Sequence, residues 1–286
     1  MLTVKQKMFI ARMMNRAVRV VRSLAGKNMR TRCTRKGVIW DLDLDEGIDL
    51  SIYLLGAYEP SMLRAYSSVI RDGDVVFDIG ANIGAHTLHF ARLAGPAGRV
   101  FAFEPTDYAA AKMRMNLSIN PELASRVSFH QRFLVADETE ALPASVASRW
   151  PLASEHPDID ADHLGKPESL GQALPVIADV FFETEKLQRL DFVKIDVDGY
   201  EYPVLRGFRS SLGRFRPLIL IEIAPFVYTA AEASEFDSFV HFIADLGYSF
   251  TEARTGRAIS CEPAELRRRI TPGGSMNCLL YPSGKA

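Results

Sequence analysis

Five short apolar runs in this chain end at an acid or a turn, and each is followed by a stretch with helical periodicity. The runs cover residues 75–78, 99–103, 126–135, 192–196 and 217–223, and the helical stretches cover 85–93, 107–120, 179–188, 202–212 and 231–246. Runs of this length, rich in Val, Ile and Phe, predict buried strands. Such alternation strongly restricts the architecture. It predicts an α/β fold, with a mostly parallel sheet carrying helices on both faces. Residues 248–252 and 276–281 supply two further strands, residues 38–55 read as a hairpin or short strands, and a helix opens at Tyr58-Glu59-Pro60 and runs to about residue 70. Sheets of this class bind ligands beyond the carboxyl ends of their strands, where strand order reverses.

The chain has 286 residues, enough for one large domain with decorations. No apolar stretch approaches the roughly 20 residues that span a bilayer, and no secretory leader pattern is present. Cys33, Cys261 and Cys278 are scattered, which fits a reducing compartment and predicts a cytoplasmic protein. The formal net charge of −1 conceals an asymmetry: residues 1–36 hold eleven basic side chains and no acidic one. The remaining 23 basic and 35 acidic residues give the body a formal −12. An acidic body argues against a nucleic-acid partner, since phosphate needs a basic face.

These features divide the chain into a basic amphipathic helical extension, 1–36, and a main domain, 37–286. In the extension Phe9, Ile10, Met13, Met14, Ala17, Val20, Val21 and Leu24 recur at three- and four-residue steps. An apolar stripe of this kind is expected to pack on the body or on a second copy in a homodimer. The alternative is a peripheral contact with an anionic membrane. Within the main domain, residues 137–176 break the alternation and read as an inserted loop that covers the site or lies on the surface.

The segment Asp78-Ile79-Gly80-Ala81-Asn82-Ile83-Gly84 follows a strand and precedes a helix. Gly80 permits a sharp turn and close approach of a ligand. Twenty residues beyond Gly84, Glu104 ends the next strand, where an acid can accept hydrogen bonds from two ribose hydroxyls. A pyrophosphate binder would carry glycine at Asn82 and a third glycine after Gly84. Asp78 and Glu104 instead suit a nucleoside cofactor with cationic groups. Lys194-Ile195-Asp196-Val197-Asp198-Gly199-Tyr200-Glu201 places three more acids at a strand end, with Asp196 aimed into the cleft and Asp198 and Glu201 reading as a capping box for the next helix. Glu222 adds a carboxylate near the end of an apolar strand, as a substrate contact or a structural partner.

The series D-I-G-A-N-I-G-x-x-T-L, A-F-E-P, D-F-V-K-I-D-V-D-G-Y-E-x-x-V-L-x-G and P-L-I-L-I-E-I resembles the FkbM family of methyltransferases over roughly residues 52–282. The resemblance implies a Rossmann-like class I methyltransferase fold: a seven-stranded, mostly parallel sheet with the last strand antiparallel. It implies S-adenosylmethionine as cofactor and O-methylation of a polyketide or sugar hydroxyl. Carried over by position, Asp78, Gly80, Asn82 and Gly84 form the methionine-side loop, Glu104 binds the ribose, and Asp196 lines the cleft near the methyl group. Glu59 borders the cofactor, and Asn277 matches a position often held by Asn. The chain departs from the pattern in having V-D-G where V-E-G is usual, and Ile177-Ala178-Asp179 for T-L-D.

Asp196, Glu222 and His86 are the candidate catalytic groups, with His86 equally readable as a polar residue in a helix's first turn. Magnesium is an alternative means of activating the hydroxyl. No metal site is expected at His156, Asp158, Asp160, Asp162 and His163, because acids in a Pro-rich loop are ordinarily solvated. An N-directed methyltransferase and a non-catalytic cofactor-binding partner protein are the competing functions.

Overall fold

The computed structural model describes residues 3–152, 165–228 and 232–283. The chain begins with helix α1 (Val4–Leu24), followed by a hairpin of β1 (Arg30–Arg35) and β2 (Val38–Asp43), then helices α2 (Gly47–Leu55) and α3 (Pro60–Ser67). Within the expected extension of 1–36 the helix runs to Leu24, the last residue of the three- and four-residue spacing. The hairpin predicted within 38–55 lies earlier, and 47–55 is a helix. The main alternation follows: β3 (Val75–Ile79), α4 (Thr87–Leu93), β4 (Arg99–Phe103), α5 (Asp107–Ser118), α6 (Pro121–Ala124) and β5 (Val127–His130). Next come β6 (Arg132–Val135), β7 (Ser145–Arg149), β8 (Lys166–Ser169), β9 (Leu174–Ile177) and α7 (Ala178–Thr184). The remainder is β10 (Phe192–Ile195), α8 (Glu201–Gly207), α9 (Arg209–Phe215), β11 (Leu218–Ile223), α10 (Ala233–Asp245), β12 (Tyr248–Glu252), β13 (Ala258–Ile259), α11 (Pro263–Arg269) and β14 (Met276–Pro282).

The main sheet runs β13-β12-β14-β11-β10-β3-β4-β5. Its parallel centre is β11, β10, β3, β4 and β5, and β14 is antiparallel to both β11 and β12. The expected seven strands with an antiparallel last strand are present. The two-residue β13 adds an eighth at the edge.

Alternation along the strands sends residues to two cores. Phe77 and Ile79 join Phe103, Phe181, Leu205, Phe208 and Phe239 on one face, while Val76 faces Trp40, Leu42, Tyr66 and Phe90 on the other. Helices thus cover both faces. The chain builds β3, β4 and β5 outward in one direction and then returns to place β10 on the other side of β3. The reversal between β3 and β10 opens the crevice in which such sheets hold ligands.

Helix α1 departs from expectation. Its buried line is Met8, Ala11, Asn15, Val18 and Arg22, spaced three and four residues apart, and the stripe from Phe9 to Leu24 faces solvent. Hydrogen bonds make the polar members of the buried line tolerable. Asn15 Nδ2 donates to Leu44 O at 2.7 Å and to Asp45 Oδ1 at 3.0 Å, while Arg22 Nε donates to Asn28 O at 2.7 Å. The predicted packing of the apolar stripe on the body does not occur. Among the described residues, no helix is long and apolar enough to cross a membrane.

Candidate active site

The loop leaving β3 is shaped by contacts that leave no room for other residues. Gly80 has φ +77°, and a Cβ there would lie 1.8 Å from the carbonyl oxygen of Asp196 at the end of β10. Asn82 has φ +49°, a left-handed conformation that Asn adopts more readily than most residues. Its backbone N donates to Glu104 Oε2 at 3.0 Å, and its Nδ2 donates to Ser148 O at 3.1 Å in the inserted segment. Asn82 therefore ties together the loop, the end of β4 and the insertion.

Glu104 is buried and lines the cavity. Its Oε1 accepts from Thr106 N at 2.9 Å and Thr106 Oγ1 at 2.6 Å. A carboxylate has about four acceptor positions, so these two bonds and that from Asn82 leave one position open, on Oε2. Burial raises the carboxyl's pKa, opposed by the bonds from Thr106 and Asn82.

Lys194 organises the floor. Register pairs it with Asp78 across β10 and β3, and its Nζ donates to Gly80 O at 2.9 Å. The same Nζ lies 3.4 Å from Asp78 Oδ1 and 3.5 Å from Asp196 Oδ2. Burial alone would lower its pKa, but Asp196 and Asp78 outweigh that and hold it above the ordinary value. Asp78 is wholly buried and also accepts from Thr87 Oγ1 at 2.6 Å. It sits behind the loop, outside the cavity wall.

Opposite Glu104 the cavity is acidic. Among the described residues, Asp196, Asp198 and Glu222 bring one carboxylate oxygen each within 4.8 Å of one another. That spacing suits a shared proton or a bound cation. Burial, then Asp196, pushes the pKa of Asp198 well up, and burial with Asp196 and Asp198 does the same to Glu222. Glu59, at φ +44° just before Pro60, projects from the start of α3 and accepts from Asn277 Nδ2 at 3.5 Å. Burial and Asp196 push its carboxyl up to about 7. A residue before proline normally avoids such a conformation, so the surrounding packing holds Glu59 in a strained backbone state.

His86 is buried beside this cluster. Its Nδ1 lies 3.2 Å from Tyr66 Oη, while Nε2 has no hydrogen-bond partner. Burial, then Lys194 and His89, keeps the ring well below the ordinary pKa, so it is neutral near pH 7. The cavity walls include Val146, Ala147 and Trp150 of the insertion, with Lys7, Met8 and Ala11 of α1. The described part of the segment 137–176 thus contributes to the cavity wall. The cluster His156, Asp158, Asp160, Asp162 and His163 lies outside those residues.

Residues 78–250, more than half of the chain, match the family model for the methyltransferase FkbM domain. The chain belongs to the FkbM methyltransferase family. Relatives of this FkbM member include the hexuronic acid methyltransferase AglP of Haloferax volcanii, 25% identical over 175 residues that cover 58% of this chain and 62% of AglP. Another is the 31-O-demethyl-FK506 methyltransferase FkbM of Streptomyces tacrolimicus, 48% identical over 58 residues, 20% of this chain and 22% of that one. The chain thus spans less than two thirds of either relative's length. The FkbM methyltransferase of Methylobacillus flagellatus is a similar solved structure, with TM-score 0.43, 14% identity, and coverage of 77% of this chain and 50% of that one.

In this FkbM chain the structure gathers Glu59, Gly80, Asn82, His86, Glu104, Asp196 and Glu222 around one cavity. Asp78 and Gly84 are held outside its wall. Gly84 instead keeps the helix side of the loop close to α5, where a Cβ would meet Met113 Sδ at 2.6 Å. Asp198 does not cap α8 as expected. Tyr200 is the cap residue and makes no side-chain capping bond, whereas Glu201 accepts from Val197 N at 3.1 Å and Gly199 N at 3.0 Å. Those bonds hold the turn that frees Asp198 to face the cavity. Lys194 and Asp198 were the residues missed as site members. The signal for Lys194 was a charged residue inside an otherwise apolar strand.

Proposed function

We propose that this chain is an S-adenosylmethionine-dependent O-methyltransferase acting on a hydroxyl of a sugar or polyketide-type natural product. The observation that carries the reading is one cavity, in an FkbM-family chain, with Glu104 on one side and Asp196, Asp198 and Glu222 on the other. The residues fit the cofactor chemically. The open acceptor position of Glu104 suits one ribose hydroxyl, Phe103, Pro105, Phe133 and Leu134 offer apolar walls for a purine, and the acidic side favours cationic groups. The same carboxylates would repel a pyrophosphate, which argues against NAD. The name of one relative, an O-demethyl-FK506 methyltransferase, supports a hydroxyl acceptor, and that of the other, a hexuronic acid methyltransferase, supports a sugar substrate.

Bound S-adenosylmethionine would supply an activated methyl group. The chain's part is to align the acceptor, exclude water and take the hydroxyl proton. Asp196 and Glu222 are the groups placed to take it. The raised pKa of Glu222 makes it a stronger base than an ordinary carboxylate once it is ionised. Neutral His86 lines the same cavity, and its buried Nε2, which has no hydrogen-bond partner, is the ring atom left to meet an acceptor seated against it.

Titration calorimetry should show S-adenosylmethionine binding and no comparable binding of NAD. Glu104→Ala should weaken donor binding by about tenfold or more, the loss of a charge-assisted bond. Tight binding of NAD alone, or an unchanged donor affinity in Glu104→Ala, would overturn the reading. Proton capture by the carboxylates also predicts activity that is indifferent to a chelator. Activity abolished by chelation and restored by magnesium would transfer hydroxyl activation to a cation.

A further inference from the structure

Helix α1 buries its less apolar side and exposes its more apolar one. Phe9 is 67% exposed and Leu24 86%, with Met13, Val20 and Val21 also exposed between them. At about 100° per residue these side chains form one continuous stripe along a helix roughly 30 Å long. The same geometry places Lys5, Arg12, Arg16 and Arg19 together along one flank of the stripe, and no acidic residue occurs in the first 36 positions. Arg19 is paired with Asp45 on the body, whereas Lys5 and Arg16 are exposed, Arg12 is half-buried, and none of the three has a salt bridge among the described residues. A contiguous apolar surface rimmed by charge of one sign marks an interaction site.

We infer that this stripe docks the protein on an anionic lipid surface. An apolar stripe with a basic flank is the composition of a helix lying in the plane of a membrane interface. The charge pattern disfavours a second copy as occupant. In an isologous antiparallel pairing of two α1 helices the basic flank of each would meet its own counterpart, with no acid on either helix to neutralise it. The inner side of the same helix contributes Lys7, Met8 and Ala11 to the cavity wall. A single helix therefore separates the lipid-facing surface from the candidate active site.

The test is co-sedimentation of the full chain, without methyl donor, with vesicles of equal parts phosphatidylglycerol and phosphatidylcholine, and with pure phosphatidylcholine vesicles. The result is thus independent of the proposed catalysis. Binding is expected to the mixed vesicles, to weaken as salt rises, and to be far lower with phosphatidylcholine alone. The triple variant Phe9→Glu, Met13→Glu, Val20→Glu alters only exposed positions and should keep its circular dichroism and melting curve. It should lose vesicle affinity about tenfold or more. Arg12→Glu with Arg16→Glu should reduce binding to the mixed vesicles and remove most of the salt dependence. Wild-type protein that stays in the supernatant, or a triple variant that sediments like wild type, would overturn the inference. So would a wild-type dimer that the triple variant converts to monomer while vesicle binding is unchanged.

Discussion

Lys194 shows how one residue can set the electrostatics of a site it does not chemically enter. Its ammonium bonds the carbonyl of Gly80 and stands between Asp78 and Asp196. Removing it would strand Asp78, which is wholly buried, with Thr87 as its remaining hydrogen-bond partner. Breaking a buried ion pair in this way costs about 3–5 kcal/mol. Lys194→Met is therefore expected to lower unfolding stability in denaturant titration by that order. Asp78→Asn added to Lys194→Met should recover part of the loss, because an amide does not need a cation. A double variant no more stable than the single would show that the pair is not the reason for the lysine. Asp78 itself illustrates what a motif conceals. Its place at the strand end was legible in the sequence, but alternation along β3 turns it towards α4 and Lys194, and only the register with β10 reveals that partner.

Elements were easier to read than their partners. The five parallel strands and the helices between them followed from apolar runs and turn residues. Residues 126–135 read as one strand, yet the chain separates at Gln131: β5 stays beside β4, while β6 leaves the main sheet to pair with β9. An apolar run specifies a buried strand but not which neighbour it will choose. Helix α1 misleads for a related reason. Periodicity detects the strongest apolar stripe, whereas the buried line contains Asn15 and Arg22, whose burial depends on acceptors outside the helix: Leu44 O for Asn15 and Asn28 O for Arg22. The insertion offers a test at this scale. Arg149 of β7 lies 4.2 Å from the Tyr108 ring centroid, is ion-paired with Glu46, and bonds Glu168 at 3.3 Å. These contacts anchor the segment whose Ser148 receives the Asn82 side chain. Arg149→Ala should loosen that wall, increase proteolytic cutting within residues 137–176, and raise the donor dissociation constant severalfold while the global fold persists. Unchanged proteolysis and donor affinity would show that Asn82 and Trp150 hold the wall without it.

Among the described residues of the whole molecule, several carboxylates are buried or half-buried, although such groups normally stay in water. Burial pushes Glu59 and Glu201 up to about 7 and Asp49 up to about 6, and also raises Asp78, Glu104, Asp198 and Glu222. In the unfolded chain a glutamate ionises near 4.5. Between that value and the raised one, the folded state binds more protons than the unfolded state, so stability falls as pH rises. Histidines oppose this in acid: His86 and His89 are held below the ordinary 6.5, and the unfolded chain gains protons there that the folded chain does not. Above about pH 6.5 the histidines of the unfolded chain lose their remaining protons and are largely neutral by about pH 7.5, so the more numerous raised carboxyls set the slope. The melting temperature of the ligand-free protein should therefore decline from about pH 6.5 to about pH 8, and Glu59→Gln should reduce that decline. A cationic methyl donor in the cavity would favour the ionised carboxylates, so saturating S-adenosylmethionine should flatten the profile, whereas NAD should not. A ligand-free profile that is flat or rising over this interval would mean that these carboxyls are already ionised in the folded protein, and the acidic wall would then need a resident cation to balance it.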